Sequence, residues 1–412
     1  MGIEKLKIGF IGNMNTMPMQ YALKFREDGC DVKYIVESDP SEMLMRPEIH
    51  YKSIDYPYPE WIKEIPFSSK LLHLLFNRYF TREVRKEMAD RDVIFFNHYG
   101  HHISGYFSRK KFIKVALFSG ADLDVTCNYD NIDNLIGADE KWWIKKVKRV
   151  LLKFFIRRYR DNIKSSHILS YFPIGMNPVG DRLQKEIMGD REYIDIRRYD
   201  INFKEIGLEY VGVTDNDKLV IVSAVRFLIK TTKENEFEYK GNDLIIKAIA
   251  KYYKSNRNIE VHFVEKGSDE NIKIAKQLCR DLGIEEVVIW HKEMSLEELL
   301  KLYKRGDVMF DQVGNHWSGA IGLYAQYMGK PVIANARLDV FKKIWGDDVA
   351  TLNATTVDEI LEHLHNCSSR EYRAEVGRAS HEFVKKHVDS EAIYQKYKSA
   401  ILEIDRAKRE NR

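Results

Sequence analysis

Short apolar blocks alternate with longer amphipathic stretches from the start of the chain. Residues 7–11 form an apolar run that closes on Gly12 and Asn13; a helical pattern over 17–27, a turn at Asp28 and Gly29, and a second apolar run over 32–36 follow. The order predicted is strand, glycine loop, helix, strand. Alternation of this kind builds a parallel sheet with right-handed crossovers, and ligands of such sheets bind beyond the carboxyl ends of the strands. Gly12 and Asn13 are therefore expected at a ligand edge. Strand-like runs recur at 92–97, 112–118 and 167–172, each leading into a polar or glycine-bearing loop. The first half reads as one α/β domain.

Between about 175 and 215 the periodicity gives way to scattered glycines, Pro178 and charges, which reads as a linker. The alternation then resumes. Strands are predicted at 219–225, 259–264, 287–290, 308–311 and 331–334, with helices over 243–253, 269–282, 296–303 and 320–328 between them. This is a second doubly wound α/β domain. The tail from Ser390 is a long, charged helical pattern, and no internal repeat interrupts the scheme. The expected division is 1–190, a linker at 191–215, a second domain at 216–389 and a terminal helix at 390–412.

Composition narrows the class. With 412 residues, 44% hydrophobic and 31% charged, the chain can bury two cores and is too apolar to be disordered. Its net charge of +4 says that any affinity for anions must come from local clusters of Lys and Arg. No window approaches the roughly 18 apolar residues of a membrane span, and residues 1–7 run directly into strand-like KIGFIG without a signal-peptide core. A cytoplasmic location is the expectation. Four scattered cysteines without a CxxC pair offer neither a zinc spacing nor a disulfide framework.

The richest stretch is 308–335, VMFDQVGNHWSGAIGLYAQYMGKPVIAN. A strand, a loop with Gly314, Ser318, Gly319 and Gly322, and a helix follow one another. Small residues at a helix start leave N–H groups approachable, and the positive end of the helix dipole favours phosphate, so a diphosphate is expected at Gly319 to Gly322. The competing reading is that these glycines only allow close helix–strand packing. Two cations fall at the same edge: Arg226 directly after the strand at 219–225, and Lys240 before Gly241, where the next helix begins. Fixed cations there would stabilise the charge gathering on a departing nucleoside diphosphate without a metal; the plain alternative is an exposed cation pair.

In the first half, Asn97, His98, Tyr99, Gly100, His101 and His102 follow a strand and face the ligand edge. No Asp, Glu or Cys stands beside them at a metal-ligand spacing, so acceptor or sugar hydrogen bonding is expected of His98 and His101 ahead of metal binding, with a merely structural or exposed role for at least one of the histidines the stronger alternative. Asp122, beyond the strand at 112–118, either orients a sugar hydroxyl or caps the segment that follows. Residues 142–164, WWIKKVKRVLLKFFIRRYRDNIK, place nine Lys and Arg between apolar residues at helical spacing. Such a helix either lies in the interface of an anionic membrane or packs one face on the core and solvates its basic face. Nothing resembles a nucleic-acid module.

Taken together, two α/β domains, Arg226 followed by KGNDLIIKAI, the glycine loop and GKPVI after a helix resemble the retaining glycosyltransferases of family 4. The resemblance covers nearly the whole chain and implies the GT-B fold: two Rossmann-like domains facing across a cleft, with the last helix crossing back to the first domain. It implies an NDP-sugar donor held mainly by the second domain, a glycan or lipid-linked glycan acceptor on the first, no cofactor or metal, and retention of configuration. Arg226 and Lys240 would be the catalytic cations. Gly12, Asp311, His316, Trp317, Ser318, Gly319, Ala320 and Tyr324 would contact the donor; Asn13, His98, His101, Ser119 and Asp122 would contact the acceptor or the sugar. In the family two glutamates stand where this chain has His316 and Tyr324, and a histidine stands where it has Ser119. A phenol offers the ribose one hydroxyl where a carboxylate accepts both ribose hydroxyls. A polar insertion, FLIKTTKENEFEY, also lengthens the interval from Arg226 to Lys240 and reads as a surface loop.

The expected function is sugar transfer in cell-surface polysaccharide synthesis, such as capsule or O-antigen, with a peripheral position at the inner face of the plasma membrane through 142–164. The rivals are a sugar-nucleotide-binding scaffold, an NDP-sugar epimerase and an NAD enzyme, the last opposed by GFIGNMN, a poor match to GxGxxG.

Overall fold

The computed structural model describes residues 2–38, 45–66, 78–136, 141–231 and 238–410. The chain divides into two compact units, one of Met1–Ile206 with Ser390–Arg412, the other of Gly207–Asp389. Residues 232–237, within the polar insertion, lie outside the described residues.

Among the described residues the first unit holds seven strands, β1 Lys7–Ile11, β2 Asp31–Ser38, β3 Ile62–Pro66, β4 Val93–Phe96, β5 Ile113–Leu117, β6 Ile168–Tyr171 and β7 Ile194–Arg197. They pair in parallel in the order β3-β2-β1-β4-β5-β6-β7. β1, β4 and β5 are almost wholly buried apolar runs, as a sheet covered on both faces requires. β7 corrects the expected linker at 191–215. Only Ile196 among its residues is fully buried, and Asp195 and Arg197 alternate with it, so this edge strand carries no apolar run to read.

Phe10 stacks between Tyr34 at 5.4 Å and Phe95 at 4.5 Å in the core of this sheet. The terminal helix Ser390–Glu410 lays Ile393, Tyr394, Tyr397, Ala400 and Ile401 into the same core. Tyr397 meets Phe95 edge-on at 5.4 Å, and its hydroxyl donates to Ser170 Oγ. The tail thus returns to the first unit, as the resemblance implies, because a helical 3–4 spacing gives it one apolar face that the first sheet covers.

The second unit holds β8 Leu219–Ser223, β9 Ile259–Glu265, β10 Val288–Lys292, β11 Val308–Phe310, β12 Val332–Ala334 and β13 Leu352–Asn353. The parallel order is β10-β9-β8-β11-β12-β13. The chain leaves β8 to one side for β9 and β10, then crosses to β11 on the other. The crevice where strand order reverses, the usual ligand position of such sheets, lies between β8 and β11 here and between β1 and β4 in the first unit. Both units are Rossmann-like. Among the described residues no helix is long and apolar enough to cross a membrane.

Candidate functional site

In the second unit, the backbone that follows Arg226 after β8 is pinned. Phe227 N–H donates to the Lys266 carbonyl at 2.7 Å, Asn242 Oδ1 accepts from Leu228 N–H at 3.1 Å, and Asn271 Oδ1 accepts from Ile229 and Lys230 N–H at 2.8 and 2.9 Å. The guanidinium itself stays open, its side chain 51% exposed, with Glu238 at 3.5 Å. An exposed pair at that distance holds little energy and leaves Arg226 available to a stronger anion.

Lys240 is fixed from the other strand of the crevice. Its carbonyl accepts from Val313 and Gly314 N–H, both at 3.1 Å, and the Tyr239 carbonyl accepts from Asn315 N–H at 3.0 Å. Glycine permits this approach: a Cβ on Gly314 would stand 2.1 Å from the Tyr239 oxygen, and one on Gly241 (φ +77°) would stand 2.6 Å from Val313 Cγ2. Burial lowers the ammonium pKa, and the positive charge of Arg226 lowers it further, while Asp311 and Glu238 pull the other way. The two cations are thus neighbours at the β8–β11 crevice, and among the described residues the Lys240 ammonium donates no hydrogen bond.

The glycine loop departs from expectation. Asp311, 3% exposed just past β11, accepts from Gly319 N–H at 2.6 Å, Gly322 N–H at 3.2 Å, Gln312 N–H at 2.7 Å and Ser318 Oγ at 3.1 Å. Burial raises its carboxyl pKa and these four bonds oppose the rise. The carboxylate therefore takes two N–H groups expected to hold a diphosphate at the start of the helix Ala320–Tyr327. Among the described residues the N–H groups of Ala320, which is exposed, and Ile321 make no hydrogen bond. Asp311 and Ser318, expected to touch the donor, are bonded to each other and set the shape of the loop. His316 and Trp317 are half-buried with ring centres 5.4 Å apart. Tyr324 is 7% exposed, and burial raises its hydroxyl pKa.

In the first unit, Gly12 (φ +92°) and Gly100 let the loops after β1 and β4 touch backbone to backbone. A Cβ would stand 2.1 Å from the Asn97 oxygen at Gly12 and 2.4 Å from the Ile11 oxygen at Gly100. Asn97 is the hub that the sequence placed at this edge without assigning it a role. Its Oδ1 accepts from Met14 N–H at 2.7 Å, and its Nδ2 donates to the Leu117 carbonyl and Ser119 Oγ, both at 2.9 Å. The loops of β1, β4 and β5 are thereby tied together.

Asp122, 1% exposed, lies inside the short helix Ala121–Asp124 and reaches back to accept from Ser119 N–H at 2.9 Å and Gly120 N–H at 3.0 Å, so it braces the preceding loop rather than capping the segment that follows. His101, also 1% exposed, stacks on Phe118 at 4.6 Å with Nε2 3.8 Å from Asp122 Oδ2; neither ring nitrogen is hydrogen-bonded. His98 sits in the left-handed region (φ +49°), and burial pushes its pKa down to about 4. Asn13 is turned inward, its amide donating to the Met45 carbonyl at 2.8 Å and accepting from the Tyr34 hydroxyl at 2.7 Å. It is fully buried and holds the loop. Among the described residues no three His, Cys, Asp or Glu gather as a metal site.

Comparison with known proteins agrees with this architecture. Residues 232–380 match the family glycosyl transferases group 1. No curated protein is significantly similar in sequence. Sucrose-phosphate synthase from Thermosynechococcus elongatus superposes with a TM-score of 0.64 at 12% identity over 98% of this chain and 100% of that one. A glycosyltransferase from Rickettsia africae gives 0.61 at 15% identity, over 97% and 98%. HepE from Anabaena, in complex with UDP and glucose, gives 0.59 at 12% identity, over 97% and 100%. The chain has the GT-B fold of these structures, with its glycosyl transferases group 1 match in the unit that carries Arg226 and Lys240.

Proposed function

We propose that the protein is a glycosyltransferase that moves a sugar from a nucleoside diphosphate to a glycan or lipid-linked glycan, with retention of configuration and without a metal. The observation that carries this reading is the pairing of Arg226 and Lys240 at the β8–β11 crevice, both short of strong partners. The donor diphosphate would lie on them and on the open N–H groups of Ala320 and Ile321. In the reaction the bond from the anomeric carbon to the diphosphate oxygen breaks, the acceptor hydroxyl oxygen bonds to that carbon, and its proton leaves with the diphosphate. The two cations offset the negative charge gathering on the leaving group. Family membership of residues 232–380 supports the reaction class, and the UDP complex of HepE makes UDP-sugars the first donors to test. A role in cell-surface polysaccharide synthesis belongs to the same reading, with a lipid-linked acceptor drawing the protein to the inner face of the plasma membrane.

The test has two stages. A thermal-shift screen of nucleoside diphosphates and NDP-sugars identifies the donor, since a ligand bound only by the native state raises Tm. Transfer is then followed with Arg226→Ala and Lys240→Ala. Each is expected to lower turnover by about two orders of magnitude or more with the ligand-free Tm unchanged. Full activity in both variants would remove the proposed site. A binding scaffold is favoured by one specific feature, the absence of a carboxylate at both His316 and Tyr324; donor binding with neither transfer nor hydrolysis across an acceptor panel would establish it. An epimerised NDP-sugar formed without acceptor would identify an epimerase.

A further inference from the structure

The helix Trp142–Lys164 carries more apolar surface than its own unit covers. Leu152, Phe155, Ile156, Tyr159 and Ile163 are buried in a cluster with Phe118, Leu169, Tyr171 and Leu183, and they form its inner face. Ile144 and Leu151 are half-buried, and five further large apolar residues stay in the open: Trp142 is 76% exposed, Trp143 53%, Val147 53%, Val150 64% and Phe154 57%. At about 100° per residue, Trp143, Val147, Val150 and Phe154 fall within an arc of roughly 60° on the side opposite the inner face. They form a second, continuous stripe. Large apolar side chains gathered on one exposed face mark a surface that meets something less polar than water.

The charge around the stripe says what that is. Residues 142–164 contain nine Lys and Arg and one acid, Asp161. Arg149 and Arg160 pair with Asp133 and Glu186. Lys146, Lys153, Arg157 and Lys164 are exposed, and among the described residues they make no hydrogen bond or ion pair. A row of apolar side chains bordered by unpaired cations, with two tryptophans at one end, fits the layered chemistry of a bilayer surface: acyl chains below, anionic headgroups at the side, and amphipathic indoles at the boundary. A partner protein or nucleic acid would match either the stripe or the charge, but less readily both.

We infer that the outer stripe of the helix Trp142–Lys164 is a docking surface for an anionic phospholipid bilayer, on which the helix lies in plane. Its inner face stays sealed on the first unit, so docking requires no unfolding. The inference deepens the membrane element of the proposed function and stands without the transfer reaction, because donor binding is read in the second unit by thermal shift and membrane docking is read with vesicles alone.

The experiment is co-sedimentation of the full chain with vesicles of phosphatidylcholine alone and of phosphatidylcholine with about a quarter phosphatidylglycerol. Binding is expected only to the anionic vesicles, weakening several-fold as salt rises from about 50 to 500 mM, where the screening length falls toward a few ångströms. Trp143→Ser combined with Phe154→Ser should lower the affinity at least tenfold. Lys146→Gln, Lys153→Gln and Arg157→Gln together should lower it and flatten the salt dependence. All five side chains are exposed, so unchanged Tm and circular dichroism are expected and show that the variants fold. Failure to bind anionic vesicles at low salt, equal binding to neutral ones, or variants that bind like the parent would each overturn the inference. So would light scattering that shows a dimer dispersed by Trp143→Ser, since a second copy would then be what covers the stripe, or RNA binding lost in the cation variant.

Discussion

Asp311 shows how one side chain can reassign a loop. A helix start rich in small residues invites an anion, and here the anion is the protein's own: the carboxylate accepts from Gly319 and Gly322 N–H and is buried doing so. Asp311→Asn keeps one acceptor but aims an NH2 at groups that are themselves donors, leaving a buried polar group unpaired. The expected cost is about 1–3 kcal/mol of stability by urea denaturation, with weaker donor binding, because the loop beside Lys240 loses its anchor. Unchanged stability would mean the carboxylate is not what holds the loop. Histidines set the acid limit at the same scale. Burial holds His98 and His102 down to about 4, and burial with neighbouring cations holds His167 down to about 3. Their native values lie below the unfolded value near 6.5, so the unfolded chain takes the protons first and stability falls as pH drops below 6.5. Asp124, pushed up to about 6 by burial, acts in the opposite sense below pH 6 and offsets one histidine. At roughly 1.4 kcal/mol per pH unit for each uncompensated group, a loss of about 3 kcal/mol between pH 6.5 and 5 is expected in urea melts. Equal stability at the two values would contradict this burial pattern.

At the scale of elements, the carboxyl edges of the sheets were readable because each follows from a local pattern: an apolar run, a glycine, then an amphipathic stretch. Gly12, Arg226, Lys240 and Gly314 all fall where that pattern puts them. β3, β7 and β13 were not readable. β13 is two residues long, β7 alternates Ile with charge, and β3 holds Lys63 and Glu64 and ends in Pro66, so pairing with a neighbour rather than hydrophobicity makes them strands. Glycine roles were readable as positions but not as contacts. Gly314→Ala brings a Cβ to 2.1 Å from the Tyr239 oxygen, whereas a Cβ at Gly189 meets nothing within 4 Å. Gly314→Ala should therefore push the 239–241 segment away, displacing Lys240 and abolishing transfer. Gly189→Ala should cost about 1–3 kcal/mol for a backbone at φ +54° and ψ −133° that residues with a Cβ rarely adopt, and leave turnover intact. Comparing kcat and Tm of the two variants separates displacement of the site from general destabilisation.

For the whole molecule, the feature with the largest consequence is the return of the chain to its first unit after residue 389. Ile393, Tyr394, Tyr397, Ala400 and Ile401 bury apolar surface that would otherwise leave the aromatic core around Phe10 and Phe95 open. Burying four large side chains at about 1.5–3 kcal/mol each is comparable with the whole stability of a typical domain. Truncation after residue 389 should abolish cooperative unfolding of the first unit, while residues 207–389, whose core is their own, should fold alone and keep the donor-induced thermal shift. A soluble, cooperatively folded truncation would show that the tail is dispensable.

By itself the sequence determined the α/β class, the two alternating halves, the edge on which Arg226 and Lys240 stand, and the amphipathic character of residues 142–164. These are properties of periodicity and of residues a few positions apart, which local geometry reads directly. Only the tertiary structure decided that Asp311 occupies the helix start, that Asn13 turns inward while Asn97 joins three loops, and that Tyr324 is buried. The same holds for the basic helix, where periodicity reveals apolar positions but only packing shows which of them the fold covers. The face left over, from Trp142 to Phe154, became visible once the inner face was accounted for. The physical reason is common to all four: a side chain's partner is set by what the rest of the chain brings within about 3 Å of it, and that information is not local.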